Sequence, residues 1–361
     1  MSEFFDKIFR YKIPMFFFSI LQKKGVIGPN KPIRSIAFLR PGRLGDLLVA
    51  TPLFRALKSE LPEIKITVIC SQYNSILVKY SPDVDNVKVV NFHSILAMTG
   101  LFKWICRNKI DITIDLTPGF SRTSTLLSYF LRMSNIMTAG MHKGEVSRYF
   151  DINTDVYGLH IIERNRILLE TVLQHKFKGE DFRPLIYSTP KHISAAAEFT
   201  KQIDTHRAVI GINLSAGKKE RQWTIDNYFK LASLIRQHYC ESVNVILFAH
   251  GIQRKWAEEI AGKTGFLIAP STDILTTAEI LRSCMLLFTP DTAFLHLASA
   301  VKVPVVGIYH TEGENLIRWR AYGVLARELV SCHTEDVNEI SADSAFIEIK
   351  DMINLLEKNT V

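Results

Sequence analysis

The sequence has no Cys-x-x-Cys pair. Its five cysteines, Cys70, Cys106, Cys240, Cys284 and Cys332, are scattered along the chain. This spacing argues against a disulfide framework or a cysteine-built zinc site and fits a reducing compartment. Cys70, Cys240 and Cys284 lie in or beside apolar segments and read as small buried hydrophobes. No apolar run approaches the ~20 residues that cross a bilayer. There is no G-x-x-x-x-G-K-[S/T] loop and no complete G-x-G-x-x-G, which disfavours a P-loop nucleotidase and a dinucleotide oxidoreductase. No nucleic-acid recognition motif accompanies the excess of 44 Lys+Arg over 36 Asp+Glu. The resulting formal charge of +8 favours anionic partners without selecting one.

What is present is a globular chain, 47% apolar and 22% charged, whose 361 residues suffice for two domains. Residues 1–32 stand apart. Their apolar segment Ile13–Leu21 is flanked by Lys7, Arg10 and Lys12 before it and by Lys23 and Lys24 after it. It lacks a small-residue cleavage site, so a signal peptide is disfavoured. Such a segment either touches an acidic membrane surface or packs on the protein.

From residue 34 strands and helices alternate. Strands are predicted over 34–40, 65–70, 87–91 and 110–116, and helices over 47–61, 95–107 and 121–131. This is βαβ order, which calls for a parallel sheet. Residues 139–155 read as a long polar loop, and residues 160–175 as a helix. The polar stretch 176–192, with Pro184 and Pro190, reads as the domain boundary. The alternation then restarts with strands over 208–214, 243–249, 266–268, 285–288 and 301–309 and helices over 224–239, 253–262 and 276–284. The expected fold is α/β, two Rossmann-like domains facing each other across a cleft.

Three turns carry the chemistry. The first is Pro41-Gly42-Arg43-Leu44-Gly45-Asp46, where two glycines permit a sharp bend after the first strand. It brings Arg43 and Asp46 to the carboxyl edge of the sheet, where open α/β sheets bind ligands. Asp46 there is either a general base or a helix cap. The second is Ser215-Ala216-Gly217-Lys218-Lys219-Glu220-Arg221-Gln222-Trp223, whose cations Lys218, Lys219 and Arg221 suit a diphosphate; Trp223 reads as a packing anchor. The third is Thr289-Pro290-Asp291-Thr292-Ala293-Phe294-Leu295-His296, a strand running into a helix capped by Asp291 or Thr292. Free N–H groups at a helix start favour phosphate; Thr292 adds a hydroxyl, and His296 lies one turn further on. Arg122, in the loop after Asp115, and Arg148 are further candidates for anion contact, the alternative for Arg122 being a solvated first-turn arginine.

These motifs, in this order, resemble the family-nine glycosyltransferases, the heptosyltransferases of lipopolysaccharide core assembly. The resemblance rests on Arg40 to Asp46 with Thr51-Pro52 and Arg55-Ala56-Leu57, Asp115-Leu116, His160 with Arg164, and Arg221-Gln222-Trp223. It rests further on Asp291-Thr292 through His296, on Val303 to Gly307 and on Trp319 to Gly323. It spans roughly residues 34 to 330.

The resemblance implies a GT-B fold and an inverting, metal-independent transfer. The donor is an ADP-sugar, with ADP-heptose expected, and the acceptor an anionic glycolipid or oligosaccharide. It makes 33–180 the acceptor domain, 190–335 the nucleotide-sugar domain and 336–361 a C-terminal helix. Asp46 matches the catalytic base. Asp291, Thr292, Ala293, His296, Arg221, Lys218 and Lys219 fall at the donor diphosphate, and Arg43, Arg122 and Arg148 are placed on the acceptor side. No metal or other cofactor is expected, and the location is cytoplasmic, peripheral on the inner membrane.

Three departures stand out: Ala293 where the family carries Gly, Arg221 where it carries Lys, and no acid in Ala249–Arg254 for the ribose. The last keeps a UDP- or GDP-sugar transferase of surface polysaccharide synthesis open as an alternative. A non-catalytic nucleotide- or glycan-binding protein is the other.

Overall fold

Among the described residues twelve short strands, most of them apolar, alternate with helices. In this computed structural model they form two six-stranded, wholly parallel sheets. The structure describes residues 32–179, 181–310, 313–332 and 336–358. The apolar segment Ile13–Leu21 therefore lies outside the described residues. The chain divides into two compact units, Met1–Glu180 and Asp181–Val361.

In the first unit the elements run β1 (Ser35–Arg40), α1 (Leu44–Leu48), α2 (Thr51–Glu60), β2 (Lys65–Cys70), β3 (Asn86–Val89) and α3 (Ile95–Arg107). They continue with β4 (Ile112–Asp115), α4 (Arg122–Met133), β5 (Met137–Met141), β6 (Ile152–Thr154) and α5 (Ile161–Leu173). The sheet order is β3-β2-β1-β4-β5-β6. The central strand β1 is buried from Ile36 to Arg40, as a strand covered on both faces must be.

Two expectations need correction here. The predicted helix 47–61 is two helices: α1 stops at Leu48, and α2 restarts with Pro52 in its first turn, where a missing N–H costs nothing. The stretch 139–155 is not a long loop. Ala139 to Met141 and Ile152 to Thr154 pair as the last two strands of the sheet. Their small and polar residues hide the usual strand pattern.

The second unit runs α6 (Pro190–Thr200), β7 (Ala208–Asn213), α7 (Ile225–Tyr239), β8 (Val243–Phe248), α8 (Gln253–Thr264), β9 (Leu267–Ile268) and α9 (Ile274–Arg282). Then come β10 (Leu286–Pro290), α10 (Ala293–Val301), β11 (Val305–Tyr309), α11 (Gly313–Trp319), β12 (Ala326–Val330) and α12 (Ala342–Lys358). The sheet order is β12-β11-β10-β7-β8-β9. α6, α11 and β12 went unpredicted, although Thr189 and Pro190 are a legible helix start. Trp223 is the anchor expected: it is fully buried, packs on Tyr228 and Phe288, and donates its indole N–H to the Ile340 carbonyl at 2.8 Å. Cys70 and Cys284 are buried, but Cys240, which caps the end of α7, is exposed, contrary to the reading from its neighbours.

Both sheets have the same logic. Counted within its unit, each runs 3-2-1-4-5-6, so the direction of winding reverses between the first and fourth strands. The loops leaving the carboxyl ends of those two strands part at that point and leave room for a ligand. In the first unit the strands are β1 and β4; in the second, β7 and β10.

Candidate active site

The turn after β1 is held together by Asp46. Arg43 caps α1, and the Asp46 carboxylate reaches back to accept the Arg43 N–H at 2.9 Å. A Cβ on Gly42 would lie 2.2 Å from Asp46 Oδ2, so glycine is what lets the carboxylate occupy this place. Beneath it lies Arg40, almost wholly buried. Its Nε donates to the Asp46 carbonyl at 2.9 Å, and its Nη2 stands 3.3 Å from Asp46 Oδ1. Burial lowers the Arg40 pKa, while the negative charges of Asp46 and Asp115 oppose the fall. Asn74 clamps the same turn, its amide donating to the carbonyls of Arg40 and Gly42. Asp46 itself is 26% exposed, so part of its carboxylate still faces solvent.

Asp115, the last residue of β4, lies opposite Leu39 in the sheet and is fully buried. Lys143, also buried, meets its Oδ2 at 2.9 Å and donates to the carbonyls of Thr117 and Gly119. Burial pushes the Asp115 carboxyl up. The Lys143 charge and hydrogen bonds from Lys143, Ser124 and the Thr117 N–H outweigh it and hold the group below its ordinary value. Lys143 was read in the sequence only as part of a loop; the structure makes it the counter-charge of Asp115.

In the second unit Asn213 ends β7 and Thr289 lies near the end of β10, two neighbouring strands. The Asn213 amide donates to Thr289 Oγ1 at 2.9 Å, to Thr292 Oγ1 at 3.2 Å and to the Ser215 carbonyl at 3.1 Å. Thr292, not Asp291, is the N-cap of α10, its hydroxyl accepting the Phe294 N–H at 3.2 Å. The Leu295 N–H goes to the Thr292 carbonyl, which leaves the N–H of Ala293 at the open end of the helix. Asp291 instead binds Arg221, whose Nη1 lies 3.0 Å from its carboxylate and 3.2 Å from its carbonyl. Arg221 Nε is buried and makes no hydrogen bond within the protein. His296 is buried one turn into α10, its ring 6.0 Å from that of Trp319. Tyr309, at the end of β11, is buried as well. Burial, then the Asp291 and Glu328 carboxylates, push its phenol well above the ordinary value, so it stays protonated.

The structure thus gathers Arg221, Asp291, Thr292 and Ala293 at one sheet edge. Lys218 and Lys219 are exposed on the preceding turn, Lys218 pairing with Glu220 at 3.1 Å. In the first unit Arg43 lies beside Asp46. Arg122 is exposed at the first position of α4, and half-buried Arg148 stacks on the Tyr149 ring. Among the described residues no group of three or more His, Cys, Asp or Glu side chains could hold a metal ion. Asn213 and Tyr309 were not singled out in the sequence, and Arg40 entered only as the first residue of the Arg40 to Asp46 motif. Arg40 and Asn213 had the same signal, a polar residue closing an apolar strand just before a turn that carries chemistry; Tyr309 had none.

The description "Glycosyltransferase family 9 (heptosyltransferase)" matches residues 98–349, well over half of the chain. The chain belongs to this family. As a family-nine protein it is a glycosyltransferase, and its two units have the GT-B fold. It is 24% identical over 290 residues to lipopolysaccharide heptosyltransferase 3 of Escherichia coli strain K12, covering 73% of this chain and 79% of that one. Among solved structures it is similar to a family-nine glycosyl transferase of Veillonella parvula DSM 2008, with a TM-score of 0.76, 19% identity, and 91% and 98% of the two chains covered. It is also similar to the ADP-heptose lipopolysaccharide heptosyltransferase II of E. coli, with a TM-score of 0.69, 16% identity, and 91% and 100% covered.

Proposed function

We propose that this glycosyltransferase moves heptose from ADP-heptose, with inversion and without a metal, to a lipopolysaccharide-core acceptor or a related membrane glycan. The observation that carries the reading is the Asp46 carboxylate. It is fixed in orientation by the Arg43 N–H, sits over a buried arginine and is still open to solvent on one side. In this reading Asp46 takes the proton of the acceptor hydroxyl as that oxygen attacks the anomeric carbon and the bond to the diphosphate breaks. The leaving group's growing charge falls on the open end of α10, on the Thr292 hydroxyl and on the Arg221 guanidinium. Arg43, Arg122 and Arg148 meet anionic groups of the acceptor, and the enzyme works on the cytoplasmic face of the inner membrane.

The name of the E. coli relative heptosyltransferase II supports ADP-heptose as donor. A UDP- or GDP-sugar is the second reading, favoured by the absence of an acid between Ala249 and Arg254.

Thermal stabilisation by ADP, UDP, GDP, CMP and NAD, each without and with magnesium, separates the two. A ligand at a hundredfold excess over its Kd stabilises by about 2.7 kcal/mol, which is readily seen. A shift with ADP alone, independent of magnesium, is expected. A UDP or GDP shift keeps the mechanism and discards the donor, and no shift with any nucleotide sinks the donor-site assignment.

A further inference from the structure

Helix α4 is patterned inside out. Its inner face carries the hydroxyls of Ser124, Thr125 and Ser128, all buried, between Leu127 and Leu131. Its outer face carries Leu126, Phe130 and Met133, at i, i+4 and i+7, which are 43%, 53% and 46% exposed. An ordinary surface helix does the reverse. The stripe continues onto α3. Phe102 meets Phe130 edge-on with ring centroids 6.5 Å apart, and the first turn of α3 exposes Ile95 and Leu96 by 81% and 84%.

The charge on these helices is one-sided. Neither α3 nor α4 contains an Asp or Glu, while Lys103, Arg107 and Arg122 are exposed on them. Between Asp85 and Glu145 the chain has only two carboxylates, Asp111 and Asp115. Asp111 accepts the backbone N–H groups of Arg34 and Ser35 at the start of β1, the opposite end of the sheet from Asp46. Asp115 is buried against Lys143. These two helices therefore carry large apolar side chains and positive charge, with no carboxylate of their own.

We propose that the outer face of α3 and α4 docks on an anionic lipid bilayer. The apolar stripe enters the headgroup boundary, and Lys103 and Arg107 meet lipid phosphates. Membrane-surface helices combine these two features, apolar area for partition and cations for anionic headgroups. Among the described residues no helix is long and apolar enough to cross a membrane, so the contact is with the surface. It rests on the reading that the enzyme works at the membrane and names the surface that meets it, whichever sugar is transferred.

The test uses the full chain, with Ile13–Leu21 kept in every variant so that its contribution is constant. Wild type and a Leu126→Gln/Phe130→Gln/Met133→Gln variant are sedimented with vesicles of phosphatidylethanolamine and phosphatidylglycerol, and with pure phosphatidylcholine vesicles. The three positions are exposed, so the variant should melt with the wild type. Its partition into anionic vesicles should fall by about tenfold or more. A Lys103→Gln/Arg107→Gln variant, which leaves the apolar stripe untouched, should lose several-fold on anionic vesicles only, and the wild-type binding should weaken with salt. Triple-variant binding equal to wild type overturns the proposal, as does equal wild-type binding to both vesicle types. Wild type that ignores vesicles but dimerises by light scattering, with the triple variant monomeric, overturns it in favour of a second copy of the chain.

Discussion

The turns after β1 and β10 occupy equivalent edges of two sheets with one strand order, yet they are built from different materials. The first is a site of charges: Arg40, Asp115 and Lys143 are buried, with Asp46 at their margin. The second is a site of neutral dipoles. Asn213, Thr289 and Thr292 bond one another, and the Arg221–Asp291 ion pair lies beside them. Buried charges must pair, and removing one partner leaves the other stranded, so the first site is stiff and intolerant. Dipoles at an open helix end need no internal counter-charge and stay available for an incoming anion. One strand order thus offers a place for a ligand twice, and the side chains decide that one place suits proton removal and the other phosphate.

The sharpest way to separate the two is Asp46→Asn. Turnover should fall by about a thousandfold, within the usual range for a lost general base, while ADP still stabilises the protein as it does the wild type. Near-normal turnover would remove Asp46 from the chemistry. Lys143→Met attacks the same unit through its fold. It leaves Asp115 buried without its main counter-charge, which should cost about 3 kcal/mol or more in denaturant unfolding of that unit. A loss under 1 kcal/mol would mean the pair matters little. In the second unit, Arg221→Met should raise the donor KM roughly tenfold, with some loss of stability alongside, because it also takes the partner from a largely buried Asp291. A large drop in melting temperature with unchanged KM would recast it as a structural tie. Thr292→Val removes the cap and should cost about 1 kcal/mol, with weaker ADP stabilisation alongside.

The smallest effect is one of pH, and its sign follows from Asp115. The folded carboxyl is held below its ordinary value of 3.8. Its ionised form therefore stabilises the fold above that value, and the stabilisation is lost as pH falls through the lower folded value. Wild type should be the more stable at neutral pH, and the gap to Asp115→Asn should narrow on acidification, as wild type takes up the proton the variant lacks. Melting curves taken between about pH 6 and about pH 3 check this; curves that fall in parallel would show that Asp115 does not respond.

Much of this was legible in the chain because its signals are local. The turn Pro41 to Asp46 and the junction Thr289 to Thr292 each place their special residues within a few positions of a strand end, where glycine, a cap and an apolar run can be read together. The break between α1 and α2 was missed, despite Pro52, because Leu47, Leu48, Phe54 and Leu57 fit one continuous helical stripe. β5 and β6 were missed for the opposite reason: Thr138, Gly140 and Asn153 break the apolar alternation, and these strands are recognised only by the neighbour they pair with. Exposure at chain ends misled as well, since Cys240 follows an apolar helix but faces solvent once that helix stops.

Of the candidate site, the sequence by itself determined which turns follow strand ends and carry the chemistry: those of Asp46, Asp115, Arg221 and Thr292. Which of these meet, and across what distance in the chain, only the tertiary structure decided. Asn213 reaches Thr292 across 79 positions and Arg221 reaches Asp291 across 70. The pairing of Lys143 with Asp115, and the burial of Arg40 under Asp46, appear only once the strands lie side by side. The physical reason is the parallel sheet. Each neighbouring strand arrives after a crossover, so residues that touch at its carboxyl edge are separated by whole helices, and no local pattern of side chains records the contact.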